Sequence, residues 1–341
     1  MKKLVLIDGN AILHRAYHAM PGMTNSNGQL VNAVYGFFSM LLNLLSEQKP
    51  DYLVIAFDRS KPTIRQSMYA GYHEHRPPME GELTSQVELI DELLEKAKIQ
   101  TASLEGYEGD DVIGTFAAQA TKINTNTTNK YQFQMSNEKN EKSKKDLSLD
   151  IGHLPLDIVI VTGDRDMLQL VTDKVKVLMT ITGLTKTALF DEKMVEEKYG
   201  VKSSQFIDYK ALIGDPSDGY PGISGIGPKT AASLLSQYGT FENIYKEIDT
   251  VQEKLALKLA TDAEQGALAK KLATIITDAP IKLELSSCQV KDIDTTGLRE
   301  GFSSHNFKSL IARLDGKFPQ EAKSKKEPKK SPEDEGQLGL L

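Results

Sequence analysis

The chain has 341 residues, about two domains' worth on the usual length prior, with 40% hydrophobic and 26% charged residues, an ordinary soluble globular mix. Its one cysteine, Cys288, excludes a disulfide framework and a cysteine-ligated zinc site, and no apolar run approaches the ~18 residues a membrane helix needs. The formal charge of −6 argues, taken alone, against a nucleic-acid partner, unless bound cations offset part of it.

The first residues enter an apolar strand with no signal peptide, so a cytoplasmic protein is the default. That strand, residues 3–7, runs into Asp8-Gly9-Asn10. A second, residues 52–57, runs into Asp58. Leu104-Glu105-Gly106-Tyr107 is followed by Glu108-Gly109-Asp110-Asp111, and residues 157–163 run into Asp164-Arg165-Asp166. Short β-rich apolar runs separated by helical patterns predict an α/β domain over residues 1–205, with a mostly parallel, twisted sheet and helices on both faces. In such a sheet the carboxyl ends of the strands share one edge, where ligands bind. The acids should therefore converge. Any one of them alone is better read as a helix N-cap or a solvated turn. Capping does not explain acids at successive strand ends. So many carboxylates in one crevice stay ionised only with cations among them, and all-oxygen ligands favour Mg²⁺ or Mn²⁺ over zinc. Paired hard cations on a carboxylate platform are suited to phosphodiester hydrolysis. The spacing in Asp164-Arg165-Asp166 predicts both acids on one side of an extended turn, with Arg165 pointing away.

Residues 61–80 carry Arg65, Tyr72, His73 and Arg76 on a helical pattern. The arginines can contact phosphates, and the tyrosine can stack on any base. Residues 121–150 are rich in Asn, Thr, Lys and Ser and read as a disordered insertion. Residues 206–318 read as helices. Near their start lie Asp215, Asp218 and a Gly225-Ile226-Gly227-Pro228-Lys229-Thr230 turn opening a helix. Glycines let a backbone approach closely, and a proline at the first helical position leaves the next amides pointing outward, suited to a phosphate oxygen. Residues 319–341 form a charged, proline-containing tail ending in Gln337-Leu338-Gly339-Leu340-Leu341.

Taken together, Leu6-Ile7-Asp8-Gly9-Asn10 with Arg15-Ala16-Tyr17-His18-Ala19, Asn32-Ala33-Val34-Tyr35-Gly36-Phe37, Phe57-Asp58, the 106–113 segment, Thr162-Gly163-Asp164-Arg165-Asp166 and the Gly-rich turn resemble the 5′-nuclease (flap endonuclease) family. They are most similar to the 5′→3′ exonuclease domain of bacterial DNA polymerase I, in family order across residues 3–316. The resemblance implies a PIN/resolvase-like nuclease core and a helical C-terminal region holding a helix-hairpin clamp for duplex DNA. It implies metal ligation by Asp8, Asp58, Glu108, Asp110, Asp111, Asp164, Asp166, Asp215 and Asp218, with Asp111 and Asp215 in the outer shell. Of these, Asp8, Asp58, Glu108, Asp110, Asp164, Asp166 and Asp218, together with Arg65, would carry catalysis. It places Arg15, Arg65, Tyr72, His73, Arg76, Gly225, Gly227, Lys229 and Thr230 against DNA. It also implies two or more Mg²⁺ or Mn²⁺ ions, and a K⁺ held by carbonyls of the Gly-rich turn.

The family commonly has lysine where His73 stands, which puts in doubt the charge assistance assigned to that position. The tail peptide Gln337, Leu338, Leu340 and Leu341 resembles the bacterial sliding-clamp-binding motif. The expected activity is structure-selective hydrolysis at a 5′ flap, nick or RNA primer in replication and repair, in a cytoplasmic, nucleoid-associated, apparently stand-alone enzyme. The rival readings are a non-catalytic junction-binding relative, a metal-dependent ribonuclease on a related core, and the N-terminal part of a larger DNA polymerase I.

Overall fold

A computed structural model describes residues 1–59, 62–75, 81–137, 156–183 and 186–316, the side chains of 124–137 excepted. In chain order it contains β1 (Lys2–Asp8), α1 (Gly9–Ala19), α2 (Asn32–Gln48), β2 (Tyr52–Ala56), α3 (Ile64–Met68), α4 (Gly81–Lys96), β3 (Thr101–Ala102), α5 (Gly109–Asn137), β4 (Leu156–Thr162), β5 (Val175–Thr182) and β6 (Lys186–Phe190). There follow α6 (Glu192–Tyr199), α7 (Phe206–Ile213), β7 (Gly214–Asp215), β8 (Tyr220–Pro221), α8 (Pro228–Tyr238), α9 (Phe241–Lys246), α10 (Glu253–Thr261), α11 (Ala263–Ala273), α12 (Thr295–Ser304) and α13 (Lys308–Leu314).

The strands read as continuous apolar runs because both sheet faces are covered. Along β1, Leu4 and Leu6 enter one core and Val5 and Ile7 the other. Along β4, Ile158 and Ile160 divide from Val159 and Val161 in the same way. The main sheet has the order β3-β2-β1-β4-β5-β6, parallel except for β6. The chain steps outward from β1 in one direction through β2 and β3, and in the other through β4 and β5. The carboxyl ends of β1 and β4 therefore flank the point where strand order reverses, which opens a crevice. This is the mostly parallel α/β fold expected from the sequence.

The helices after β6 divide between the two faces. Phe206, Leu212, Leu235, Phe241 and Leu259 pack into the same core as Leu4 and Ile160. Leu298, Phe302, Phe307 and Leu310 of the last two helices instead join Val34, Phe38, Ile90 and Leu93 on the opposite face. The expected helical region thus closes back over the first helices.

Three local expectations need correction. Leu104–Tyr107 is a turn, with Gly106 at φ +84°, and β3 is only two residues long. The Asp164-Arg165-Asp166 segment is not extended: Arg165 is in the right-handed helical region and Asp166 opens a 3-10 turn over Asp166–Leu170. The expected disordered insertion begins as helix, since the backbone of α5 continues to Asn137. A helix already nucleated by packed residues such as Val112, Ile113 and Phe116 extends at one hydrogen bond per residue, so polar composition does not end it. The rest of the insertion and the tail lie outside the described residues.

The hairpin of β7 and β8 carries Asp215 and, in its loop, Asp218. It depends on two glycines. Gly214 has φ +73°, and a Cβ on Gly222 would sit 2.3 Å from both the Gly214 nitrogen and the Ile213 carbonyl carbon. Backbone meets backbone there, so nothing can yield. Gly222→Ala is expected to cost about 1–3 kcal/mol through overpacking, read as a lower thermal midpoint. A wild-type midpoint would show that the hairpin is not packed this way.

Candidate metal centre

Helix starts and strand ends aim the carboxylates. Asp8 is the N-cap of α1: its Oδ1 accepts the Ala11 N–H at 2.9 Å and its Oδ2 accepts the Thr162 hydroxyl at 2.7 Å. Asp58 accepts the first amide of α5, from Gly109, at 2.6 Å and the Asn10 side-chain amide at 3.0 Å. Asp164 follows β4 and accepts the Asp166 N–H at 2.8 Å. Glu108 accepts from Thr63 Oγ1 at 2.8 Å and from the Tyr72 hydroxyl at 3.1 Å. Capping and convergence are thus the same geometry here. Eight of the nine acids predicted as ligands line one cleft of about 950 Å³; the ninth, Asp111, does not.

The cleft is electrostatically unfavourable on its own. Burial, with repulsion from Asp58 and Asp164, pushes the Asp8 carboxyl up to about 7 against the hydrogen bonds that oppose it. Burial and the neighbouring Asp164 push Asp166 up to about 8, although Lys210 pulls the other way. Desolvation raises Asp110 well above the usual range, and Asp164, Asp8, Asp58 and Glu108 add to it. Asp164 and Glu108 are raised as well, burial leading in each case. Asp215 goes the other way. Burial would raise it, but hydrogen bonds from Lys210 and Ser217 hold it below the usual carboxylate range.

Arg65 is not available to grip a phosphate. It is 4% exposed and all five of its N–H donors are used internally. Nε donates to the Leu272 carbonyl at 2.8 Å, Nη1 to Glu108 at 3.2 Å and Asp111 at 2.8 Å, and Nη2 to Asp111 at 2.8 Å and the Thr274 carbonyl at 2.7 Å. Asp111, 1% exposed, also accepts the Ile276 N–H at 2.9 Å, so its oxygens serve this buried pair and not the cleft. Tyr72 is likewise committed: 6% exposed, bonded to Glu108, its ring stacked on His73 at 3.9 Å between centroids. The base-stacking role expected for it is closed in this conformation. His73 adopts φ +58°, and its Nε2 lies 3.2 Å from Asp218 Oδ1. Arg76 lies outside the described residues.

The Gly-rich turn stands apart from this cleft, as does Arg15, whose Nη2 donates to the Thr180 carbonyl at 2.9 Å. Gly227 caps α8 and Pro228 occupies its first turn, leaving Lys229 exposed. Of the carbonyls beside the turn expected to hold K⁺, two already have side-chain donors. The Gly225 carbonyl accepts Lys258 Nζ at 2.8 Å, and the Gly222 carbonyl accepts the Gln265 amide.

Sequence reading missed Lys210. Its ammonium pairs with Asp166 at 2.5 Å and with Asp215. A lysine inside the otherwise apolar run Tyr209-Lys210-Ala211-Leu212-Ile213 was the available signal. Thr162 and Thr63, which orient Asp8 and Glu108, carried no such signal.

Residues 3–150 match the family model of the 5′-3′ exonuclease N-terminal resolvase-like domain, and residues 201–296 that of the 5′-3′ exonuclease C-terminal SAM fold. The chain belongs to the 5′-3′ exonuclease family. It is 39% identical over 314 residues to DNA polymerase I of Caldicellulosiruptor bescii and 36% identical over 314 residues to that of Bacillus subtilis. Those matches cover 92% of this chain but only 33% and 32% of the relatives, so the chain spans about a third of their length. Its fold is shared by the phage T5 D15 protein co-crystallised with metal ions, at 18% identity and a TM-score of 0.57, over 92% of this chain and 98% of that one. It is also shared by the catalytic core of Rad2 in complex with DNA substrate, at 15% identity and a TM-score of 0.54, over 92% of each chain.

The residues present fit divalent cations. Asp166, Asp215 and Asp218 each offer an oxygen, all within 4.8 Å of one another. The buried Tyr220 hydroxyl beside them has no protein partner. The donors are all oxygen, which suits a hard ion.

Two outcomes follow from this geometry. Arg65→Met strands Asp111 as an unpaired buried charge and is expected to destabilise the DNA-free protein by about 3–5 kcal/mol. Wild-type melting combined with weakened DNA binding would return Arg65 to the phosphate-gripping role. The second outcome concerns pH. Asp8 and Asp166 titrate near 7 and 8 in the folded protein but near the usual carboxylate value when unfolded. Between those values the folded state holds more protons, so metal-free stability falls as pH rises from about 4 to about 8. Melting in EDTA should therefore be higher at pH 5 than at pH 8, and saturating Mn²⁺ should shrink the gap. A midpoint that rises with pH over this window would contradict the crowding.

Proposed function

We propose that this chain is a structure-selective 5′ nuclease that hydrolyses DNA, and the RNA of a primer, at a 5′ flap or nick during replication and repair. The observation that carries the reading is the cleft in which eight carboxylates from strand ends, the start of α5 and the β7–β8 hairpin converge. Mg²⁺ or Mn²⁺ ions bound as a pair would supply an activated water and stabilise the leaving 3′ oxygen. The chain's own residues set the stage for that chemistry. Thr162 and the Ala11 amide fix the Asp8 carboxylate, Asn10 and the Gly109 amide fix Asp58, and Thr63 with Tyr72 fixes Glu108. Fixed acceptors keep the reorganisation cost of the reaction low.

In this reading residues 1–205 form the catalytic platform and residues 206–318 grip the duplex. The exposed N-terminus of α8, with Lys229 and Thr230, would meet a phosphate through amides and charge, reading no base. The charge of −6 then reflects ligands waiting for cations. The protein would work in the cytoplasm, at the nucleoid. Among the described residues no helix is long and apolar enough to cross a membrane. The tail residues Gln337, Leu338, Leu340 and Leu341 would tether the enzyme to a bacterial sliding clamp and raise its local concentration at replication junctions.

The test is a labelled 5′-flap duplex with and without Mg²⁺. Asp164→Asn combined with Asp166→Asn is expected to abolish cleavage while leaving flap binding near wild type, because phosphate contacts lie elsewhere. Cleavage above about a tenth of the wild-type rate would remove the cluster from the mechanism.

A further inference from the structure

Lys210 occupies an unusual place for a lysine. Its side chain is 9% exposed, and its ammonium touches two of the three carboxylates, Asp166 and Asp215, that together could hold an ion. The third, Asp218, instead faces His73. A buried ammonium is tolerated only with partners, and buried carboxylates at this spacing need a cation. Each solves the other's problem when no divalent ion is present. Yet an ion ligated by Asp166, Asp215 and Asp218 must draw on the two carboxylates that the ammonium already engages. An ammonium and a divalent cation repel strongly at contact distance in a partly desolvated cleft.

We propose that Lys210 is the resident counter-ion of the Asp166, Asp215 and Asp218 subsite, holding the carboxylates at ligand spacing and competing with the divalent ion for them. This rests on the reading of the cluster as a metal site. The subsite is then shaped in advance but not filled in advance. Occupancy requires the ammonium to withdraw. A lysine that merely ties α7 to the turn after β4 would have no such link to metal.

The full chain, wild type and variants, is titrated with Mn²⁺ by calorimetry and melted with and without Mn²⁺. Lys210→Met is expected to bind Mn²⁺ at the Asp166, Asp215 and Asp218 subsite about tenfold more tightly or better. It should also melt lower than wild type without metal and recover in Mn²⁺. Lys210→Arg, which keeps the charge, should not gain affinity. Lys270→Met removes a lysine paired with Asp208 and Glu242 and should leave Mn²⁺ affinity unchanged. If Lys210→Met folds only when Mn²⁺ is present, that rescue is the same result in stronger form. Unchanged or weaker Mn²⁺ binding by Lys210→Met overturns the proposal, as does failure to fold even in Mn²⁺, or equal loss of stability with and without metal. A wild-type protein showing no Mn²⁺ site sensitive to Asp218→Asn would overturn the metal reading itself.

Discussion

Mutual repulsion among the carboxylates at one sheet edge is the constraint that organises this molecule. Parallel strands deliver Asp8, Asp58 and Asp164 to a common edge, and α5 and the β7–β8 hairpin add Glu108, Asp110, Asp215 and Asp218. Nothing apolar in the fold favours that arrangement. Two tethered cations of opposite design help to hold it. Arg65 is fully occupied, and its five donors join α3, the start of α5 and the end of α11 in one buried knot. Lys210 sits inside the cleft, on two of the carboxylates a bound ion would use. One cation fixes the walls and the other occupies the floor.

The usual opposition between a capping and a ligating acid dissolves in this cleft. Asp8 caps α1, and Asp58 accepts the first amide of α5. Each cap bond uses part of one carboxylate and sets its direction, leaving the remaining acceptor positions aimed outward. Helix N-termini also supply partial positive charge where the carboxylates crowd. The fold therefore stabilises the acids with its own backbone dipoles before any cation binds, though not enough to bring Asp8 or Asp166 down to ordinary carboxylate behaviour. That residual strain is the usual cost of an active site built for charge.

How much of this was legible in the sequence depended on range. Strand ends are local, so apolar runs followed by Asp8, Asp58 and Asp164 revealed both the parallel sheet and the edge where the carboxylates converge. Arg65 was misread because its fate is decided by the carbonyls of Leu272 and Thr274, more than two hundred residues away. An arginine near a helix looks the same from the sequence whether it faces phosphate or protein. Tyr72 failed for the same reason: its burial depends on His73 adopting a left-handed backbone and on Tyr220 packing from the hairpin. The division of the last helices between two cores was hidden because amphipathic patterning gives a buried face but not its partner. The start of the insertion, up to Asn137, was misjudged from composition, where continuity with a packed helix mattered more.

The central claim is that this cleft is built to receive divalent cations on its carboxylates. Anomalous diffraction from crystals grown with Mn²⁺ tests it most directly. The account requires ordered Mn²⁺ within about 2.1 Å of carboxylate oxygens in the cleft, one ion among Asp166, Asp215 and Asp218 with Lys210 displaced from them. Crystals with these side chains ordered, saturating Mn²⁺ in the mother liquor and no anomalous peak in the cleft would contradict it.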